Sequence, residues 1–201
     1  MEAPTVDVDR FRRPDHPVET LIYHRWSARA MSAQPLSSEE LMRLFEAARW
    51  APSSFNEQPW RFVYAERDSE HWARFVELLS EGNRRWAPQA AVLIVVLSRS
   101  TFERNGRPSR THSYDTGAAW QNLALQGCRM GLVVHGMAGF DYDAARVVLQ
   151  VPEEFAVEAM IAVGRPAPTE TLPEPLRERE VPSGRKPLAE LAFPGVFPVA
   201  G

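Results

Sequence analysis

The 201-residue sequence holds one cysteine and one lysine. Cys128 alone cannot form an internal disulfide, and it lies in an apolar, helix-like run from Asn122 to Met130. The chain therefore suits a reducing compartment, and no structural zinc site is expected. Lys186 is the single lysine, which leaves guanidinium groups as nearly the only cations. Neither charge sign dominates: 23 basic against 26 acidic residues give a net charge of −3. No sequence-wide positive field exists to hold nucleic acid or an anionic membrane. The longest apolar run, Ala90 to Leu97, is far too short to span a bilayer, and Met1 to Asp15 is charged rather than apolar. The expectation is one soluble, cytoplasmic domain over residues 1–201, with neither nucleic acid nor membrane as a partner.

The common catalytic signatures are missing as well. There is no G-x-S-x-G elbow, no phosphate loop of the G-x-x-x-x-G-K-[ST] type and no G-x-G-x-x-G fingerprint. His16, His24, His71, His112 and His135 show no i, i+4 pairing and no H-E-x-x-H, so no metal site is expected. An enzyme built this way draws its reactive atoms from an organic cofactor.

What is present is 44% hydrophobic residues, enough for a sizeable core. Pro17 followed by Val18 to Tyr23 reads as a first helix with proline at its opening turn. Ser37-Ser38-Glu39-Glu40 offers a capping box, and Leu41, Leu44, Phe45 and Ala48 fall on one face of a helix from Ser38 to Trp50. Trp60 to Tyr64 alternates as a strand does. Asp68 is placed to cap a helix with Trp72, Phe75, Val76 and Leu79 on its apolar face. Ala90 to Leu97 suits a strand covered on both sides, central in a sheet. The arginine-rich, apolar-poor stretch Ser100 to His112 reads as a loop open to motion. Ser113 to Met130 is a long buried helix stopped by Gly131. Leu132 to Ala138 is a short strand, Asp141 caps a helix through Gln150, and Phe155 to Val163 is the last strand. Eight of the 17 prolines lie between Arg165 and Gly201, which excludes regular helix or a central strand there. The sum is an α+β sandwich of one sheet and packed helices.

Two segments suit a ligand with an anionic end and a flat polar head. Arg25-Trp26-Ser27-Ala28-Arg29 places two guanidiniums and a hydroxyl at the exit of the first helix, each charge-assisted bond to phosphate being worth roughly 1.5–3 kcal/mol. A solvated basic helix end, complementing the helix dipole, fits the same residues. Ala51 to Trp60 gathers hydroxyls, amides and two prolines between helix and strand, as a binding loop or as an ordinary capped turn does.

R-x-S-x-R, then a helix, then A-P-S-S-x-N-x-Q-P-W-x-F over Ala51 to Phe62, resembles the amino-terminal half of the nitroreductase family, FMN-dependent oxidoreductases using NADH or NADPH. Asp115 to Ala119, Gly139-Phe140-Asp141, Ile161 to Pro166 and Arg185 to Leu188 extend the resemblance from about Tyr23 to Leu191. It implies a nitroreductase-like sandwich with a central mixed sheet flanked by helices, and an extended carboxy-terminal arm, 165–201, at the interface of a homodimer. It implies that Arg25, Ser27, Arg29 and Arg185 bind the phosphate and ribityl chain, with Trp26 where a polar or basic residue is frequent. Pro52, Ser53, Ser54 and Asn56 match the loop that reaches the other subunit's flavin. Asn83 is similar in placement to the amide on the pyrimidine edge, although a helix C-cap is an alternative role for it. Ala138 and Gly139 match the turn facing flavin N5, glycine permitting close approach to the ring. Met31 stands where an aromatic is usual, and Ser183 where some members carry a second basic residue. The implied function is hydride transfer from NAD(P)H through flavin N5 to an electron-poor small molecule, a nitroaromatic or quinone, by a ping-pong mechanism, with no side chain as catalyst. An FMN carrier or sensor without turnover, or diverged chemistry such as dehalogenation or flavin fragmentation, is the alternative.

Overall fold

Ser37 opens the first long helix as its spacing requires. In the computed structural model, its Oγ accepts the Glu40 amide at 3.2 Å while the Glu40 carboxylate accepts the Ser37 amide at 2.8 Å. The structure describes residues 6–198; residues 1–5 of the charged amino-terminal stretch and 199–201 of the proline-rich segment lie outside it. The elements run α1 (Thr20–His24), α2 (Ser38–Arg49), β1 (Trp60–Glu66), α3 (Trp72–Leu78), α4 (Glu81–Arg84), β2 (Val92–Arg99), α5 (His112–Arg129), β3 (Val133–Met137), α6 (Tyr142–Val148), β4 (Phe155–Gly164) and α7 (Glu174–Arg177).

The α+β sandwich is as expected, with strand order β1-β2-β4-β3. The sheet is not mixed, however: all three strand pairings are antiparallel. β2 and β3, joined through α5, do run parallel to each other, but β4 inserts between them and converts both contacts to antiparallel ones. Such an insertion leaves no trace in local sequence. β2 is central and buried, as its unbroken apolar run requires. Its alternate residues feed two cores. Val92, Ile94 and Val96 pack with Leu41, Leu44 and Ala48 of α2 and Ala119 and Leu123 of α5. Leu93, Val95 and Leu97 pack with Phe75 and Leu78 of α3, Trp86, and Ala145 of α6.

Two local expectations are corrected. α1 starts at Thr20 with Glu19 as its N-cap, so Pro17 stands outside it; Val18 is exposed, and a longer helix would bury nothing there. Asp68 does not cap α3. It takes φ +69 in the turn after β1, a conformation aspartate tolerates, and α3 begins four residues later. Asp141 does cap α6, accepting the Ala144 amide at 2.9 Å.

Residues 165–198 form no strand, and their helical structure is limited to the four-residue α7 and two three-residue 3-10 turns, Thr169–Thr171 and Leu188–Glu190, as their prolines dictate. They fold back on an extended strap that follows α1. Ser32 N–H donates to Arg165 O at 3.1 Å, Ala167 N–H to Ala30 O at 3.1 Å, and Met31 bridges Pro166. Met31 itself packs over Gly164, where a Cβ would meet its sulfur at 2.9 Å.

α5 reaches β3 closely at Gly127, where a Cβ would meet Val134 Cγ2 at 2.3 Å. Gly127→Ala is expected to destabilise by about 1–3 kcal/mol in urea unfolding, strain overriding the helix propensity of alanine. Gly117→Ala, in open space on the same helix, should be neutral or stabilising by up to about 1 kcal/mol. Equal effects at the two positions would contradict this packing.

Candidate functional site

Three guanidiniums approach one another where the strap leaves α1. Arg25, Ser27, Arg29, Trp26 and Arg185 line one cavity of about 340 Å³, together with Arg12, His135, Arg179 and Ser183. The cavity thus gathers five of the expected residues from segments 160 positions apart. Arg25 Nη1 donates only to Ser27 Oγ, at 3.3 Å, and Arg185 only to Ser183 and to Gly184 O, the latter at 2.8 Å. Neither has a carboxylate partner among the described residues. Burial first, and then the Arg185 charge, push the Arg25 guanidinium below its ordinary value. It stays cationic at neutral pH, since arginine does not deprotonate in proteins.

Arg29 differs. It pairs with Glu180 at 3.5 Å, and that buried carboxylate also accepts the Arg29 and Ala30 amides at 2.6 and 2.8 Å. Part of its charge is therefore spent within the chain. Trp26 lines this cavity and also an adjoining one of about 210 Å³ that reaches Cys128.

Asn83 and Gly139 meet beside Trp86, on which the cavity's His135 packs. Asn83 Nδ2 donates to Gly139 O at 2.9 Å, and its Oδ1 accepts Trp86 Nε1 at 3.2 Å. A Cβ on Gly139 would meet Asn83 Nδ2 at 2.7 Å and Ser80 Oγ at 2.8 Å. Within the chain the glycine thus serves a close approach to these two side chains. Ala138 lies in a separate, mainly apolar cavity of about 370 Å³ with Gly136, Met137, Thr116, Trp120 and Glu158. At its rim, Ser113 donates to Glu158 at 2.6 Å, and the buried Ser98 hydroxyl lies between Glu158 and His112.

Pro52, Ser53, Ser54 and Asn56 line none of these cavities. Their loop is fixed beside the start of α5: the Ser54 amide donates to Asp115 at 3.0 Å, and Ser53 Oγ accepts the Gln58 amide at 3.0 Å. Phe55, at φ +55 and 74% exposed, stacks under Arg104 at 4.6 Å. The 100–112 loop is braced by a Thr101–Pro108 bridge and by Glu103, which pairs with Arg99 at 2.7 Å and Arg61 at 3.3 Å.

The sequence profile of the Nitroreductase family matches residues 22–88 and 71–165. The chain belongs to the nitroreductase family. A solved oxidoreductase containing FMN is 48% identical, with a TM-score of 0.90, over 93% of this chain and 96% of that one. A protein from Desulfovibrio desulfuricans solved in complex with FMN is 27% identical with a TM-score of 0.70, over 92% and 100% of the two chains. Protein DrgA of Synechocystis is 29% identical over 85% of this chain and 92% of its own.

In this nitroreductase-family chain, sequence reasoning missed Arg12 and Glu180 as parts of the site. Arg12 sits among Arg10, Arg13 and three aspartates, Asp7, Asp9 and Asp15, in a charged stretch, and nothing local separates it from its neighbours. Glu180 is one of several acids in a proline-rich run, marked only by its burial. His135, on β3, stacks 4.5 Å from Trp86, and its Nδ1–H donates to Ala28 O at 2.8 Å. It is a tie between β3 and the strap.

Burial pushes the His135 imidazole down to about 4, with Arg29 and Arg25 adding repulsion against the Ala28 bond. The histidine is therefore neutral when folded. As pH falls from about 6.5 to about 4, the unfolded chain binds a proton that the folded one does not, so stability is lost across that window and is unaffected above it. The loss should approach about 3 kcal/mol. His135→Asn should flatten the slope between pH 6.5 and 5 in chemical unfolding; an unchanged slope would show that His135 is not the group responsible.

Proposed function

We propose that this chain is an FMN-dependent NAD(P)H oxidoreductase acting as a homodimer. The carrying observation is the arginine cavity, where Arg25 and Arg185 bring two cations together with no carboxylate to neutralise them. Arg25 is half-buried and Arg185 exposed, and two like charges brought together are relieved when an anion joins them. The donor set suits a phosphate, guanidinium forks from two segments with the Ser27 hydroxyl between them. The residues present therefore fit FMN, and two proteins of this fold are described as containing it.

In this reading Arg25 and Arg185 hold the phosphate, Ser27 and Arg29 the ribityl chain, and Trp26 and His135 wall the cavity. Asn83 and the Ala138–Gly139 turn stand side by side, as residues serving one edge of a flat ring system do. FMN, when bound, would supply the redox chemistry of hydride transfer from NADH or NADPH to an electron-poor small molecule such as a nitroaromatic or quinone. The protein's part is to bind, orient and exclude competing acceptors. The Pro52–Asn56 loop stands apart from its own chain's cavity with Phe55 exposed, which favours its serving the site of a partner subunit. Leu188, Leu191, Val196 and Phe197 are exposed in the proline-rich segment and suit the same interface.

The purified protein should show a flavin visible spectrum and oxidise NAD(P)H when a quinone or nitroaromatic is added; a spectrum without turnover would indicate a flavin carrier. Arg25→Ala or Arg185→Ala should weaken FMN binding by about 1–3 kcal/mol while sparing riboflavin. Equal losses for both flavins would remove the phosphate role.

The sequence shows neither a dinucleotide fingerprint nor a second catalytic constellation, so nucleotide and acceptor are proposed to use one site in turn. Double-reciprocal plots at several fixed acceptor concentrations should be parallel. Intersecting lines would overturn the shared site and leave the cofactor assignment standing.

A further inference from the structure

We infer that Arg12 is a third anion-binding guanidinium of this cavity and the clamp that holds Arg25 and Arg185 in register; the inference rests on the phosphate reading of the cavity. Arg12 precedes the residues that the family profile matches, 22–165, and is only 8% exposed. Its Nε donates to Ser183 O at 2.8 Å, and its Nη1 to Tyr23 O at 2.9 Å and Arg25 O at 2.8 Å. One planar group thus ties the backbone at Arg25 to the backbone two residues before Arg185, across 171 positions of sequence. All three acceptors are main-chain carbonyls, so none neutralises the charge.

Nη2 has no acceptor among the described residues, although Arg12 lines the cavity. Burial, then Arg185, then Arg25, lower the Arg12 guanidinium from its ordinary value. A charge pressed between two like charges and left with a free donor is matched by an anion arriving in the same space. Three cations with no carboxylate suit the terminal dianion of a phosphate monoester, and a neutral sugar alcohol gains nothing from them. Lysine could not replace this group, because a single ammonium cannot reach three carbonyls in one plane and still present a donor to the anion.

The test compares wild type, Arg12→Met and Arg12→Lys as flavin-free proteins. Fluorescence-quench titration with FMN should show about 10- to 100-fold weaker binding for Arg12→Met, and a clear loss for Arg12→Lys, while riboflavin affinity changes by less than about threefold. In parallel, inorganic phosphate should raise the wild-type unfolding temperature above that in chloride at equal ionic strength, and should raise it less in both variants. Should Arg12→Met fail to fold, Arg12→Lys carries both comparisons.

Unchanged FMN affinity, equal losses for FMN and riboflavin, or full recovery by lysine would overturn the inference. The phosphate arm does not depend on flavin. Wild type that responds to phosphate through Arg12 but binds no FMN would remove the flavin reading and leave Arg12 standing, whereas wild type that binds FMN with Arg12→Met unaltered does the reverse.

Discussion

A buried carboxylate at Glu180 holds the binding cavity together. Two strap amides and one guanidinium converge on it from residues 150 positions earlier. A charge so deep in the protein is costly unless it is compensated; here Oε1 accepts both strap amides, while Oε2, which has no hydrogen-bond partner, faces the Arg29 guanidinium at 3.5 Å. The carboxy-terminal segment is thereby laid along the strap, and only in that position can Arg185 stand near Arg25. Removing Glu180 would free the strap amides and the segment together.

The sheet explains why the strap lies where it does. β3 is an edge strand, and His135, one of its residues, bonds the strap through Ala28 while stacking on Trp86 of the core. Met31 closes over Gly164 at the end of β4. The strap is thus pinned at one point on β3 and another just past β4, with Ser27 and Arg29 between the helix exit and the second pin. The cavity is formed between the strap's main chain on one side and the returning segment on the other, with Arg25 and Arg185 contributed from opposite sides.

Much of the scaffold was legible because its signals are local. The Ser37–Glu40 pair and the helical spacing behind it gave α2, and an unbroken branched apolar run gave β2 as the central strand. The proline density after Gly164 reads as excluding regular helix or a central strand, and among the described residues that segment holds no strand and only short helical turns of three or four residues. Arg25, Ser27, Arg29 and Arg185 stood out through motif resemblance, and the cavity gathers all four. What failed was non-local. The antiparallel sheet follows from β4 inserting between two strands that are distant in sequence, and no window of residues contains that information. Arg12 and Glu180 act across separations of 150 residues or more, each surrounded by like residues that do nothing comparable. Asp68 was misread because an aspartate before a helix and an aspartate in a left-handed turn look alike until φ is known.

The tie from Arg12 to Ser183 joins segments 171 positions apart, and this sets an order of events during synthesis. Contacts between distant residues form late, after the loops they close have been fixed by nearer ones. A nascent chain whose carboxy-terminal segment is still inside the ribosome has the strap, Arg12 and Arg25 but no Ser183 or Arg185 to complete the cluster. Whatever anion the cavity accepts is therefore captured in full only after residues 183–185 have joined the strap, when the sheet and the core residues before them have already been made.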